Sequence, residues 1–263
     1  MTIPFGIRLK LDRAHEHFLA VNEEIGRYLD SQPYKIVSNV QPSDQHLVLF
    51  EFHVISEPPL RFGVILGDYI QNIRTALDYL ACELVIKNGG AVNVKTQFPI
   101  LDCRPKDERG QPKLPKIHGG VAPNVLTIIE SLQPYTRGKD ALHHPLSILG
   151  HLSDIDKHRF LHTTVACIKN PHCFLTLSDG TKLGGESSVG VAYHETPIAA
   201  FKFPQPISSP SFDRNMQVEA YGSAFVAIKE VEPWRDKPIM LLMKEIDDFV
   251  RNDVMVKLLT FLD

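Results

Sequence analysis

Six apolar residues, Leu66, Ile70, Ile73, Leu77, Leu80 and Leu84, recur at steps of 4, 3, 4, 3 and 4. At about 100° per residue they share one side of an α-helix. A stripe this long cannot remain in water, so whatever fold the chain adopts must cover it. The spacing predicts a helix from about Leu60 to Lys87, stopped by Asn88-Gly89-Gly90 and buried against other helices. Asp68, Gln71, Asn72, Thr75, Asp78, Tyr79 and Cys82 face away from the stripe, with Arg74 at its boundary. A solvated face usually favours Glu and Lys for their helix propensity. Short hydrogen-bonding side chains in their place imply contact with protein or with a ligand.

The rest of the chain supplies partners for that helix. Asp12 to Asp30 reads as an amphipathic helix through Ala14, Phe18, Val21, Ile25, Tyr28 and Leu29, ended by Ser31-Gln32-Pro33. Tyr34–Val40 and His46–Ile55 form a hairpin pattern, with Val48, Phe50, Phe52 and Val54 on one face. Pro123 opens a short helix that ends before Pro134, and Pro145 opens another reaching about His162. The periodicity then changes. Cys173–Leu177 and Thr181–Leu183 flank the turn signal Asp179-Gly180, and Val189–Tyr193, Ile198–Phe203 and Met216–Val231 follow as strands. Helical spacing returns from Lys237 to Leu262. These elements predict an α+β fold, a helical bundle with a mostly antiparallel β-sheet. It would form one domain over residues 1–263: helix-rich to about 162, strand-rich from about 163 to 232, with a C-terminal helix over about 237–262.

Charge and composition exclude several classes of function. A net charge of −3 argues against broad adhesion to nucleic acid or anionic membrane, while leaving a local basic groove open. No apolar run approaches the ~18 residues that span a bilayer, and no basic segment followed by an apolar one opens the chain. Cys82, Cys103, Cys167 and Cys173 form no Cys-x-x-Cys pair, and a chain with its own core does not need disulfides. A reduced, cytoplasmic setting without a membrane partner is the expectation. Phosphate-loop, dinucleotide and nucleophile-elbow motifs do not occur, which argues against P-loop and Rossmann chemistry. The stretch from Asp102 to Ala122 is rich in Pro, Gly and alternating charges, and reads as a solvated surface loop.

A second polar segment runs from His151 to Arg159, with His162 after it. His151, Asp154, His158 and His162 are spaced 3, 4 and 4 and would lie along one helical stripe. One helix alone supplies too few ligands, so no metal and no cofactor is assigned. Asp156, Lys157, His158 and Arg159 place an acid, an imidazole and two cations within about one turn. Such a set can hold a phosphate or carboxylate, with arginine as a fork and histidine as a proton carrier. The expectation is a pocket between the two helices. Arg74, Asp78 and His158 would carry any chemistry, while Asp68, Asn72, Asp156, Lys157 and Arg159 bind a small anionic ligand or RNA. The alternative is a non-catalytic interaction or structural protein in which these residues form a buried polar network. Whether the protein is an enzyme or a homo-oligomer stays open at this point.

Five motifs appear in order: Leu66-Gly67-Asp68, Asn72 to Leu80, Gln97-Phe98-Pro99-Ile100, Leu132-Gln133-Pro134-Tyr135 and Ile155 to Arg159. Together they resemble a family of uncharacterised bacterial proteins, over about Asp12 to His162. That resemblance implies a shared site and no activity. A second resemblance is to HEPN domains, helical bundles that often act as metal-independent ribonucleases. Their signature is Arg, four residues, then His; Arg74 and the spacing match, and Asn72 supplies a nearby polar residue. Position 79 is Tyr instead of His, so the resemblance implies that His158 would have to provide the acid–base group.

Overall fold

The structure, a computed structural model, describes the chain apart from residues 1–2, 170–172, 177–179, 188, 208–216, 220–222, 230–231 and 263. The fold is α+β. Its contacts divide the chain into two interleaved compact units. One comprises Met1–Glu23, Leu60–His162 and Glu230–Asp263; the other comprises Glu24–Pro59 and Thr163–Lys229. No helix among the described residues is long and apolar enough to cross a membrane.

The first unit is built on helix α2 (Arg61–Lys87) and includes α1 (Phe5–Asp30) as far as Glu23. All six stripe residues of α2 are buried, and so are Phe62, Ile65, Tyr69, Ala76, Ala81 and Val85. The helix is therefore covered on more than its leucine side. Burying a single Leu or Ile completely contributes ~1.5–3 kcal/mol, so the stripe alone is a large share of this unit's stability. Tyr69 keeps its one polar atom satisfied inside this core by donating to the Met243 carbonyl at 2.7 Å.

Helices α3 (Pro123–Ser131) and α4 (Pro145–His158) both start on proline, where a missing N–H costs nothing. The C-terminal helical run is α5 (Ile239–Phe249), a π-helical turn (Val250–Met255) and α6 (Val256–Leu259). Helix α4 packs against both α2 and α5, which is as much of the expected bundle as the contacts support. The run from Pro145 was expected to reach His162, but Arg159 is already extended. The reason lies on α2. A Cβ at Gly63 would collide with the Leu161 carbonyl and the Phe160 ring, and one at Gly67 would sit on the Asp156 carboxylate. Two glycines one turn apart thus let the end of α4 and the chain beyond it lie directly on the α2 backbone.

The second unit carries the strands. They are β1 (Tyr34–Gln41), β2 (Asp44–Val54), β3 (Thr163–Ile168), β4 (Cys173–Thr176), β5 (Lys182–Gly185), β6 (Val191–Ala192), β7 (Thr196–Lys202), β8 (Gln217–Glu219) and β9 (Ser223–Ile228). Three sheets of order β1-β2-β7, β6-β3-β9 and β5-β4-β8 result, with every named pairing antiparallel. The β1–β2 hairpin, expected within the helix-rich first part, belongs here because β2 closes its free edge on β7. Val48, Phe50 and Phe52 alternate into a core shared with Phe201, Val165, Cys167 and Leu175, and Val54 packs beside it. The expected Asp179-Gly180 turn lies partly outside the described residues, as do parts of the run Met216–Val231. Val189–Tyr193 shortens to the two residues of β6, directly after Gly190 with its positive φ of 145°. Cys82, Cys103 and Cys167 are free thiols.

Candidate functional site

The centre of the first unit's polar architecture is an extended segment, Gln97 to Asp102. An extended chain that pairs with no sheet needs other partners for its buried N–H and C=O groups. Helix α2 provides the first two. Asp78 Oδ1 accepts the Phe98 N–H at 2.9 Å, and Arg74 Nη2 donates to the Phe98 carbonyl at 2.8 Å. The two side chains are i,i+4 neighbours and pair with each other at 3.2 Å. Gln133, fully buried, provides the next two by donating to the Pro99 carbonyl and accepting the Leu101 N–H, each at 3.0 Å. From α4, Gly150 leaves room for the Ile100 side chain. Two of the five sequence motifs thus hold a strip of backbone that contains the third. Burial pushes the Asp78 carboxyl upward, against the opposing pull of Arg74, the Phe98 N–H and Lys157.

The segment forms one wall of a cleft of about 510 Å³ lying wholly within this unit. Helix α4 contributes Ser147, Gly150, His151, Ser153, Asp154 and Lys157. The polar loop contributes Asp102, Pro105, Lys113, Leu114, Lys116 and His118. The loop is largely exposed, as expected of a solvated surface segment, and it also has internal structure and borders the cleft. Asp107 Oδ1 accepts the Arg109 and Gln111 N–H groups at 2.9 and 2.7 Å, and Lys106 bridges to Pro112. Beyond that turn Thr96 Oγ1 donates to the His118 carbonyl at 2.9 Å and ties the loop's far end down.

The cleft is electrostatically lopsided. Five cations line it, Arg74, Lys95, Lys113, Lys116 and Lys157, against the carboxylates Asp102 and Asp154. Among the described residues Lys95, Lys113 and Lys116 have no ion-pair partner. Lys157 lies 3.7 Å from the exposed Asp154, a distance at which an exposed pair holds loosely. On α4 the exposed His151 ring donates from Nε2 to Asp102 Oδ2 at 2.7 Å. The imidazole also lies against the indole of Trp234, with ring centres 5.4 Å apart. Ser147 and Ser153 are buried, and their Oγ atoms have no hydrogen-bond partner, nor does the second oxygen of Asp102.

The residues expected from the sequence divide three ways. Arg74 and Lys157 line the cleft, with Asp78 held behind Arg74. Asp156 turns onto Gly67 and accepts from Gln71 Nε2 at 3.1 Å, as part of the α2–α4 contact. Asn72 accepts from Lys10 of α1 at 3.2 Å and donates to the Asp68 carbonyl; neither Asn72 nor Asp68 lines the cleft. His158 and Arg159 are exposed at the end of α4, and no hydrogen bond joins either to Arg74 or Asp78. The four-residue histidine stripe is broken because α4 ends at His158. Among the described residues no group of three or more His, Cys, Asp or Glu could hold a metal ion. Lys95, Lys113, Lys116, Ser147 and Ser153 were not anticipated. For Ser147 a signal existed: Ser147, Gly150, His151 and Asp154 repeat at helical spacing as small or polar residues on a helix whose Leu146, Ile148, Leu149 and Leu152 are buried.

Searches for relatives add nothing to this geometry. No family model, curated protein or solved structure matches the chain.

Proposed function

We propose that the cleft binds a small anion, presenting a phosphate or carboxylate group to the cations at its rim. The observation that carries this reading is convergence. Arg74 from α2, Lys95 from the turn before the extended segment, Lys113 and Lys116 from the loop, and Lys157 from α4 border one cavity. Like charges gathered on a concave surface raise the local concentration of an oppositely charged ligand. Gathering them costs mutual repulsion, which a bound anion relieves. A second depression, lined by Arg137, Lys237, Glu245, Asp248 and Asp253, has no cationic excess and no comparable attraction for an anion.

Cleavage of RNA in the manner of HEPN domains receives less support. Arg74 already donates to Phe98 and pairs with Asp78, the Tyr79 ring lies over Gly6, and His158 does not join them. A structural reading accounts for Asp78, Gln71 and Asp156, whose partners are all within the protein. It does not account for unpaired lysines around a cavity.

Calorimetric titration of the intact protein with inorganic pyrophosphate at low ionic strength tests the proposal. Saturable one-to-one binding is expected, weakening as salt rises and the Debye length falls toward ~8 Å. A Lys113→Ala/Lys116→Ala variant should bind about tenfold more weakly, since two lysines contributing ~0.7 kcal/mol each amount to that factor. No heat above dilution, or affinity unchanged in the variant, would leave the structural reading as the better one.

A further inference from the structure

We infer that the protein self-associates through the free edge of β1, which pairs antiparallel with β1 of a second copy across a two-fold axis. The register fixes which way the backbone groups of β1 point. The Pro33 carbonyl accepts the Ile55 N–H at 2.8 Å, so Lys35, Val37 and Asn39 also turn their backbone groups toward β2. On the far side of β2, Glu195 donates to the Phe52 carbonyl, as the same alternation requires. Tyr34, Ile36, Ser38 and Val40 therefore direct N–H and C=O away from the sheet, in a register unbroken over that run. Among the described residues no strand pairs with this edge.

An edge strand in water is usually short, charged, broken by proline or a bulge, or covered. Among the described residues the other edges follow that rule. β6 has two residues and β8 three, β9 is buried from Phe225 to Ile228, and Glu186 beyond β5 bridges to Ala200 of β7. β1 runs for eight residues with one charge and no proline, and its register shifts only at the Val40/Gln41 end. Ile36, opposite Phe52 on the core face, is 43% exposed there. What fits this edge is the same strand reversed. With the axis on Val37, Tyr34 faces Val40 and Ile36 faces Ser38 of the second copy, so each outward N–H meets an outward C=O. A peptide from another protein would have to bring that complement; a second copy supplies it by symmetry. The same register sets Lys35 opposite Asn39 of the second copy, whose amide donates to Glu51 at 2.7 Å. Lys35 has no ion pair among the described residues, and this carboxylate meets its charge across the seam. The two Lys35 side chains stay about four residues, or ~13 Å, apart, beyond the Debye length of ~8 Å. Both edges are consumed in the pairing, so assembly stops at two copies.

The test is sedimentation of the intact protein over a micromolar concentration series. Mass should rise from 29.6 kDa toward twice that value and go no further. Ser38→Pro removes one outward N–H per copy and no bond to β2, at a position where an edge strand tolerates proline. It should weaken association about thirtyfold, the worth of two lost hydrogen bonds. Ile36→Lys leaves the backbone alone and brings two cations close to the axis; it should weaken association as well, and it decides the question if the proline variant misfolds. Position 37 reads the register. Val37→Cys would face itself in a non-hydrogen-bonded pair with Cα atoms about 4.5 Å apart, within disulfide reach. Mild oxidation should cross-link Val37→Cys into a dimer on a non-reducing gel, and should cross-link Lys35→Cys no more than the wild type, whose own free thiols set the background. A protein that stays at 29.6 kDa throughout, or one that grows past two copies, would overturn the inference. So would association that survives both β1 substitutions, or cross-linking no greater in Val37→Cys than in Lys35→Cys.

Discussion

Gly67→Ala separates packing from helix propensity because the two act with opposite sign. In an open helix position the substitution stabilises by ~0.8–1 kcal/mol, since glycine surrenders more backbone freedom on folding. At Gly67 the added methyl has no space, because Asp156 Oδ1 and its carboxyl carbon occupy it. Forcing the methyl in should cost ~1–3 kcal/mol of overpacking. If Asp156 swings away instead, the overpacking is relieved but its hydrogen bond from Gln71 Nε2 is lost, at ~1.5–3 kcal/mol. The two costs are alternatives, so after the propensity gain the net is a destabilisation of roughly 0.5–2 kcal/mol. Gly26 is the control: it lies in α1, and a Cβ there meets nothing within 4 Å. Gly26→Ala should therefore raise the urea midpoint, while Gly67→Ala lowers it. Removing the obstruction with Asp156→Ala should make the Gly67→Ala penalty small or negative in the double variant. If Gly67→Ala proves as benign as Gly26→Ala, the close α2–α4 approach is wrong and so is the role given to Asp156.

Two further outcomes follow from buried polar groups. His144 Nδ1 accepts the Leu146 N–H at 3.1 Å and caps α4, a task only the neutral ring performs; burial and then the Arg137 charge lower its pKa to about 4 from 6.5. Because the folded value lies below the unfolded one, stability is complete above pH 6.5 and declines as pH falls toward 4, by up to about 3 kcal/mol. Urea midpoints measured from pH 7 to pH 4 should fall less steeply in His144→Asn, which keeps an acceptor at the cap; an equal slope would refute the assignment. Gln133→Ala empties a fully buried position and strands the Pro99 carbonyl and Leu101 N–H, so thermal unfolding should show a loss of about 2–4 kcal/mol. A loss below ~0.5 kcal/mol, the range of an ordinary surface change, would contradict the clamp.

What could be read from the chain alone was what periodicity encodes. The stripe Leu66 to Leu84 is buried residue for residue, and the alternation Val48, Phe50, Phe52 forms the β2 core face. The starting helix was read too short. Its buried residues continue back through Leu11 to Ile7, and the helix starts at Phe5, just before a glycine at position 6 that the Tyr79 ring covers. Motif residues in the two polar segments were recognised as non-solvent-facing, correctly for Gln71, Arg74 and Asp78. What they face was not legible, because it depends on the backbone of Phe98 and on the side chain of Asp156 meeting Gly67. Lys113 and Lys116 were out of reach for a similar reason. Charges in a Pro- and Gly-rich loop look alike whether that loop floats free or borders a cavity, and only the Asp107 turn and the Thr96 tie decide between the two.

Anions should collect in this cleft and not elsewhere on the surface. Backbone amide spectra of the ¹⁵N-labelled protein, recorded during a phosphate titration at low salt, address it directly. Saturating shifts should concentrate on Phe98 to Asp102, Lys113 to His118 and Ser147 to Lys157, and should collapse in Lys113→Ala/Lys116→Ala. Shifts scattered over lysines throughout the chain without saturation, or a saturating set centred on His158 and Arg159 outside the cleft, would contradict it.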